Sequence, residues 1–126
     1  MSPSKPLVMP EKKNEILESQ DPFSAYWHAK DVIGGRFPEA EFFIVKDPRT
    51  AYHYAAEVIQ DRWPEAEPYI VKEPHWAFNY AKNVLKRRWP EAEHGIFKES
   101  RYWEIYLEFL TTIGLEMDIW EVEEDW

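Results

Sequence analysis

Arg62-Trp63-Pro64-Glu65-Ala66-Glu67 recurs 26 residues later as Arg88-Trp89-Pro90-Glu91-Ala92-Glu93. It occurs 26 residues earlier too, with phenylalanine for tryptophan, as Arg36-Phe37-Pro38-Glu39-Ala40-Glu41. No insertion or deletion disturbs the step. A fixed period of this length is the mark of a repeat architecture, in which each unit gains its core by lying against the next.

Working outward, three full units run over residues 21–46, 47–72 and 73–98. Each opens Asp-Pro or Glu-Pro (Asp21-Pro22, Asp47-Pro48, Glu73-Pro74). Aspartate is a favoured helix N-cap, and proline at the next position gives up an N–H that would have no partner there. Ala25/Tyr26, Ala51/Tyr52 and Ala77/Phe78 follow, then Ala29, Ala55 and Ala81, then Val32-Ile33, Val58-Ile59 and Val84-Leu85. These offsets predict one apolar stripe on a helix of about four turns. The helix must end before Pro38, Pro64 or Pro90, since a residue preceding proline is pushed out of the α region. That proline then starts a second helix of about two turns, with glutamates at its positive end and Lys46, Lys72 or Lys98 at its negative end. Ile44, Ile70 and Ile96 are expected to face the first helix.

The ends differ from the middle. Residues 1–20 read as a loose leader followed by a polar half-unit, Pro10–Leu17, which aligns with Pro64–Val71 at a shift of 54. Residues 99–126 read as a capping helix, Glu99 to Ile113, then an extended stretch in which Leu115, Met117 and Ile119 alternate with acids, and a short acidic, aromatic tail from Asp118 to Trp126. The whole forms one domain. The fold expected is all-α, a short solenoid of right-handed type built from helical hairpins and capped at both ends.

Composition bounds the function. The apolar fraction of 44% and aromatic fraction of 17% exclude a wholly disordered chain. There is no cysteine, which removes disulfides and thiolate metal sites. No apolar run is long enough to span a bilayer and no signal pattern opens the chain, so a soluble, cytoplasmic protein is expected. Of the formal charge of −9, most lies at the C-terminal end: residues 100–126 carry eight acids against the single base Arg101.

No catalytic constellation can be assembled. The paired glutamates are two residues apart, which puts them on different helix faces, and they repeat in a way an active site does not need. His28, His53, His75 and His94 have no metal-ligand spacing. Neither a phosphate-cradling glycine loop nor a nucleophile motif is present. A non-enzymatic role without cofactor or metal follows. Arg36, Arg62 and Arg88 are expected to form an Arg–Glu ladder between units, each guanidinium against a ring.

Positions that vary between units are free to serve recognition. Phe23-Ser24, Arg49-Thr50 and His75-Trp76 follow the opening proline; Trp27, His53 and Asn79 come a turn later, with His28, Tyr54 and Tyr80 beside them. Large rings at such places suit a protein-binding surface. The expected partner site is Phe23, Trp27, Arg49, His53, His75 and Trp76. A second reading makes the C-terminal acids, Glu121, Glu123, Glu124 and Asp125 with Trp126, an acidic nucleic-acid mimic that blocks a DNA- or RNA-binding protein. Direct nucleic-acid binding is disfavoured by the negative charge, no membrane contact is expected, and homodimerisation stays open.

The repeated unit, Asp-Pro-x-x-Ala-Tyr-x-x-Ala-x-x-Val-Ile-x-x-Arg-Trp-Pro-Glu-Ala-Glu-x-x-Ile-x-Lys, resembles a short helix-hairpin repeat found in tandem in proteins of large tailed phages. It is loosely similar to tetratricopeptide units, which run to about 34 residues. The resemblance covers residues 21–98 and carries no functional residue. It implies a phage-encoded interaction module, an inhibitor or modulator of a host protein in host takeover or anti-defence.

Overall fold

The computed structural model describes residues 4–114, with side chains from residue 11 onward. Every regular element among them is helical. Helix α1 spans Ser4–Ser19. Each of the next three long helices starts as α-helix and ends as π-helix: α2 Pro22–His28 runs into Ala29–Ile33, α4 Pro48–His53 into Tyr54–Ile59, and α6 Pro74–Tyr80 into Ala81–Leu85. Between them lie short helices. The first comprises a 3-10 turn at Pro38–Ala40 and α3 Glu41–Ile44; the second is α5 Glu67–Ile70 and the third α7 Pro90–Lys98. Helix α8, Ser100–Thr112, follows.

The opening prolines act as expected. Asp21 accepts the Ser24 amide at 3.1 Å and Asp47 the Thr50 amide at 3.2 Å, each closing an orphan donor of its helix. Ser24 and Thr50 also donate their hydroxyls to these carboxylates. Glu73 makes no side-chain cap, its longer arm being poorly matched to the position.

Ala25, Ala29, Ala51, Ala55, Ala77 and Ala81 are all fully buried and let successive long helices approach closely. Those helices contact one another in order, α2 on α4, α4 on α6 and α6 on α8. Phe37, Trp63 and Trp89, the rings before the second proline, are buried beneath them, as are Ile44, Ile70 and Ile96. A buried ring of about 150–250 Å² at about 25 cal/mol/Å² gives on the order of 4–6 kcal/mol gross, before chain ordering is subtracted.

Four expectations are corrected. The stretch from Ser4 is not a loose leader but the start of α1. Pro6 falls in its first turn, where no N–H is needed, and the helix continues through Pro10 at the loss of one bond. Further along, Ile16 is buried like its counterpart Ile70.

The long helices, seven α residues plus five π residues in the first unit, are nearer three turns than four. Val32 and Ile33 are 44% and 41% exposed, whereas their counterparts Val58, Ile59, Val84 and Leu85 pack partly buried against the core. The helix ends on a left-handed residue, Gly34 in the first unit but Gln60 and Lys86 in the next two.

The Arg–Glu pairs, finally, close within a unit rather than between units. Arg36 grips Glu41 through Nε and Nη2, both at 2.8 Å, and Arg62–Glu67 and Arg88–Glu93 repeat the fork. Five residues of separation across the turn into the short helix bring guanidinium and carboxylate together locally.

What joins the units is a tyrosine. Tyr54 accepts the buried Phe37 amide at 2.6 Å and donates to Glu41 at 2.7 Å. Tyr80 does the same at Trp63 and Glu67, and Tyr106 of α8 at Trp89 and Glu93. Tyr54 and Tyr80 are therefore fully buried rather than part of an open variable face. His28, in the position homologous to Tyr54, is also buried and lies 5.2 Å from the Phe37 ring.

Candidate functional site

The variable positions gather on the face formed by the N-terminal halves of the long helices. Their spacing along each helix is set by the opening Asp-Pro or Glu-Pro, so equivalent residues of successive units arrive side by side. Phe23 and Trp27, one turn apart on α2, meet edge-on at 6.0 Å. Trp27 leans on Tyr26 at 5.3 Å, and Tyr26 reaches His53 of the next unit at 6.0 Å. His53 contacts Trp76 at 5.6 Å, Trp76 contacts His75 at 4.5 Å, and His75 meets Tyr102 of α8 at 5.4 Å. A continuous row of rings thus crosses from α2 to α8.

All six expected residues within the described region belong to it. Arg49 joins by lying over the Phe23 ring, 5.6 Å from its centroid. Tyr26, Tyr52 and Tyr102 are members the sequence reading missed. Tyr52 lies 5.6 Å from Trp76 and supports it from below. Their signal was present in the sequence, because Tyr26 and Tyr52 share one offset in their units, but that offset reads equally well as core. Glu121, Glu123, Glu124, Asp125 and Trp126 lie outside the described residues, as does the alternating segment from Leu115.

The row has its own polar anchor. Glu57 accepts Tyr26 Oη at 2.7 Å, Lys30 Nζ at 2.9 Å and His53 Nδ1 at 3.2 Å. The Lys30 hydrogen bond, followed by that from Tyr26, holds the Glu57 carboxyl down to about 2, far below the usual range. Burial, reinforced by Glu57, pushes the Tyr26 phenol well above its ordinary value. One unit on, 31 residues apart like Tyr26 and Glu57, Asn83 donates to Tyr52 Oη at 2.8 Å. These bonds fix the tyrosines, so the rings resting on them are held in place.

The edge rings remain open to solvent. Phe23 and Trp27 are each 41% exposed and help line a groove of ≈ 540 Å³ between α1 and α2, with Ile16, Ser24 and Asp31. Arg49, Lys82 and Arg101 stand along the face over Phe23, Phe78 and Tyr102, with no carboxylate partner among the described residues. The arrangement offers flat apolar area, ring edges and cations. Among the described residues no group of three His, Cys, Asp or Glu side chains is placed to hold a metal. No helix among them is long and apolar enough to cross a membrane.

Compared with known protein families, curated proteins and solved structures, the chain matches none.

Proposed function

We propose that the protein is a non-enzymatic interaction module, a short capped solenoid that docks on another protein through the ring row of its long helices. The observation that carries this reading is the gathering of Phe23, Trp27, Arg49, His53, His75 and Trp76, chosen as variable positions, into one row with open edges. Tyrosine, tryptophan and arginine anchors held rigid before contact lose little entropy on binding, which is what recognition hot spots require. The resemblance of the repeat to tandem hairpins of large tailed phages makes a bacterial host protein the natural target, with inhibition or modulation of host defence as the purpose.

The test is affinity capture from bacterial lysate with the full chain, run beside Phe23→Ala and Trp76→Ala and followed by direct affinity measurement on the captured protein. At least a tenfold loss for each variant, with mild sensitivity to salt, is expected for anchors each worth more than about 1.4 kcal/mol. Capture indifferent to both substitutions would rule the face out. Collapse of binding with modest salt would instead point to the acidic C-terminal residues.

A further inference from the structure

Most cations near this surface are matched. Lys13 pairs with Glu39, Lys30 with Glu57, and Arg36, Arg62 and Arg88 each with a glutamate of their own unit. Arg49, Lys82 and Arg101 differ: each lies over a ring of the docking face and makes no ion pair among the described residues. A face of open rings with unmatched cations suits an anionic, apolar segment. The chain carries one. Residues 115–126, Leu-Glu-Met-Asp-Ile-Trp-Glu-Val-Glu-Glu-Asp-Trp, hold six acids, two tryptophans and no base.

Place and length agree with charge. Helix α8 ends at Thr112, and Gly114 turns left-handed at φ 84. Beside that end a groove of ≈ 320 Å³ is lined by Phe78, Lys82, Ile105, Glu108, Phe109 and Thr112. Twelve extended residues reach about 40 Å. Running back along α8 takes about 20 Å, and each further helix adds about 8–10 Å. The segment is therefore long enough to pass Lys82 and reach Trp76 and Arg49.

We propose that residues 115–126 lie along the docking face of their own chain, acids toward Lys82, Arg49 and Arg101 and tryptophans against the rings, and that a partner must displace them. The proposal rests on the ring row being the docking face, but its test needs no partner, so the two can fail separately.

The protein has no native cysteine, so Val122→Cys in the full chain accepts a single nitroxide label. The readout is paramagnetic broadening of the indole N–H signals at low salt. The expected result is loss of most of the Trp76 intensity while Trp27, two long helices further along the row on α2, keeps most of its signal. Raised salt, or Arg49→Glu with Lys82→Glu, should restore the Trp76 signal. Uniform or absent broadening would overturn the proposal. So would broadening seen only when spin-labelled and isotope-labelled chains are mixed, which would place the segment on a second copy.

Discussion

Tyr54 and Glu41 belong to successive units, and the phenol of one donates to the carboxylate of the other at 2.7 Å while accepting the Phe37 amide at 2.6 Å. Arg36 completes the group, its Nε sharing Glu41 Oε2 with the phenol while its Nη2 holds Oε1. One hydroxyl thus satisfies a buried backbone donor and ties two units together, and the arrangement is repeated at Tyr80 and Tyr106. Specific polar bonds at each junction select a single register for units that apolar packing alone would let slide.

Removing one such hydroxyl should cost more than an average hydrogen bond. Tyr80→Phe keeps the ring against Trp89, 5.0 Å away, but strands the Trp63 amide and loosens Glu67. The expected loss is about 1–3 kcal/mol in chemical denaturation, with the slope against denaturant unchanged. A double-mutant cycle with Glu67→Gln should show coupling well above the scatter for distant sites. Additive effects would mean that the bond contributes little.

The same tyrosines predict alkaline unfolding. A free phenol ionises near pH 10. Burial first, with the neighbouring glutamates adding to it, pushes Tyr54, Tyr80 and Tyr106 upward, against the pull of the backbone amides they accept. A raised value means that the stabilisation is complete below pH 10 and disappears as pH climbs through the folded-state values. With all three involved the slope approaches about 4 kcal/mol per pH unit. Circular dichroism against pH should show a cooperative loss above pH 10, accompanied by the appearance of tyrosinate absorbance.

On the acid side two steps are expected. Burial, then the charges of Lys12 and Lys13, lower the His28 value, so the folded state resists a proton that the unfolded state accepts near pH 6.5. Stability is whole above that pH and declines below it, by at most about 1.4 kcal/mol per pH unit. His28→Phe should abolish this step. The second comes from Glu57, whose carboxyl is held at about 2. Its contribution is present above the ordinary carboxylate value and is lost as pH falls toward 2. Since Glu57 is partly exposed, solvent screening limits it to roughly 1 kcal/mol. Glu57→Gln should flatten the curve there and broaden the Tyr26 ring signals.

How far the sequence disclosed this architecture depends on the residue. The step from Arg36 to Arg62 to Arg88 disclosed the helices and their buried alanines, because those positions answer to packing alone. The cap at Asp21 and the burial of Ile44 followed from local rules. The tyrosine junction did not, since its partners lie 13 and 17 residues away and Tyr106 occupies a helix that otherwise abandons the pattern. The π turns were hidden too. They depend on the last turn widening over a neighbouring helix, and no single residue type signals that. For the ring row, the sequence supplied the membership of Phe23, Arg49 and Trp76, but only the lateral packing of α2, α4, α6 and α8 could place them edge to edge.

Left-handed helix ends offer a stabilising change. Gln60 and Lys86 take φ of 61° and 58°, where the first unit uses Gly34. A side chain there is strained by about 1–2 kcal/mol, part of which glycine returns through a looser unfolded chain. Gln60→Gly and Lys86→Gly should each add about 0.5–1 kcal/mol, and additively, since they sit in different units. Gly34→Ala should do the reverse through backbone conformation alone, because a Cβ there would meet nothing within 4 Å. Thermal melts of the three variants decide the matter.

The proposed docking face makes its own demand on stability measurements. Phe23 is 41% exposed and its ring rests mainly on Trp27 and Tyr26. Phe23→Ala should therefore shift unfolding by less than about 0.5 kcal/mol, as surface changes do. Trp76 is different. It is half-buried among Tyr52, His53 and His75, so Trp76→Ala should cost about 1–3 kcal/mol through lost area and a gap in the row. If partner affinity falls alike for both variants while only one is destabilised, the rings act by contact. If affinity instead follows stability, so that Phe23→Ala binds normally, the row is a structural seam and the docking proposal fails.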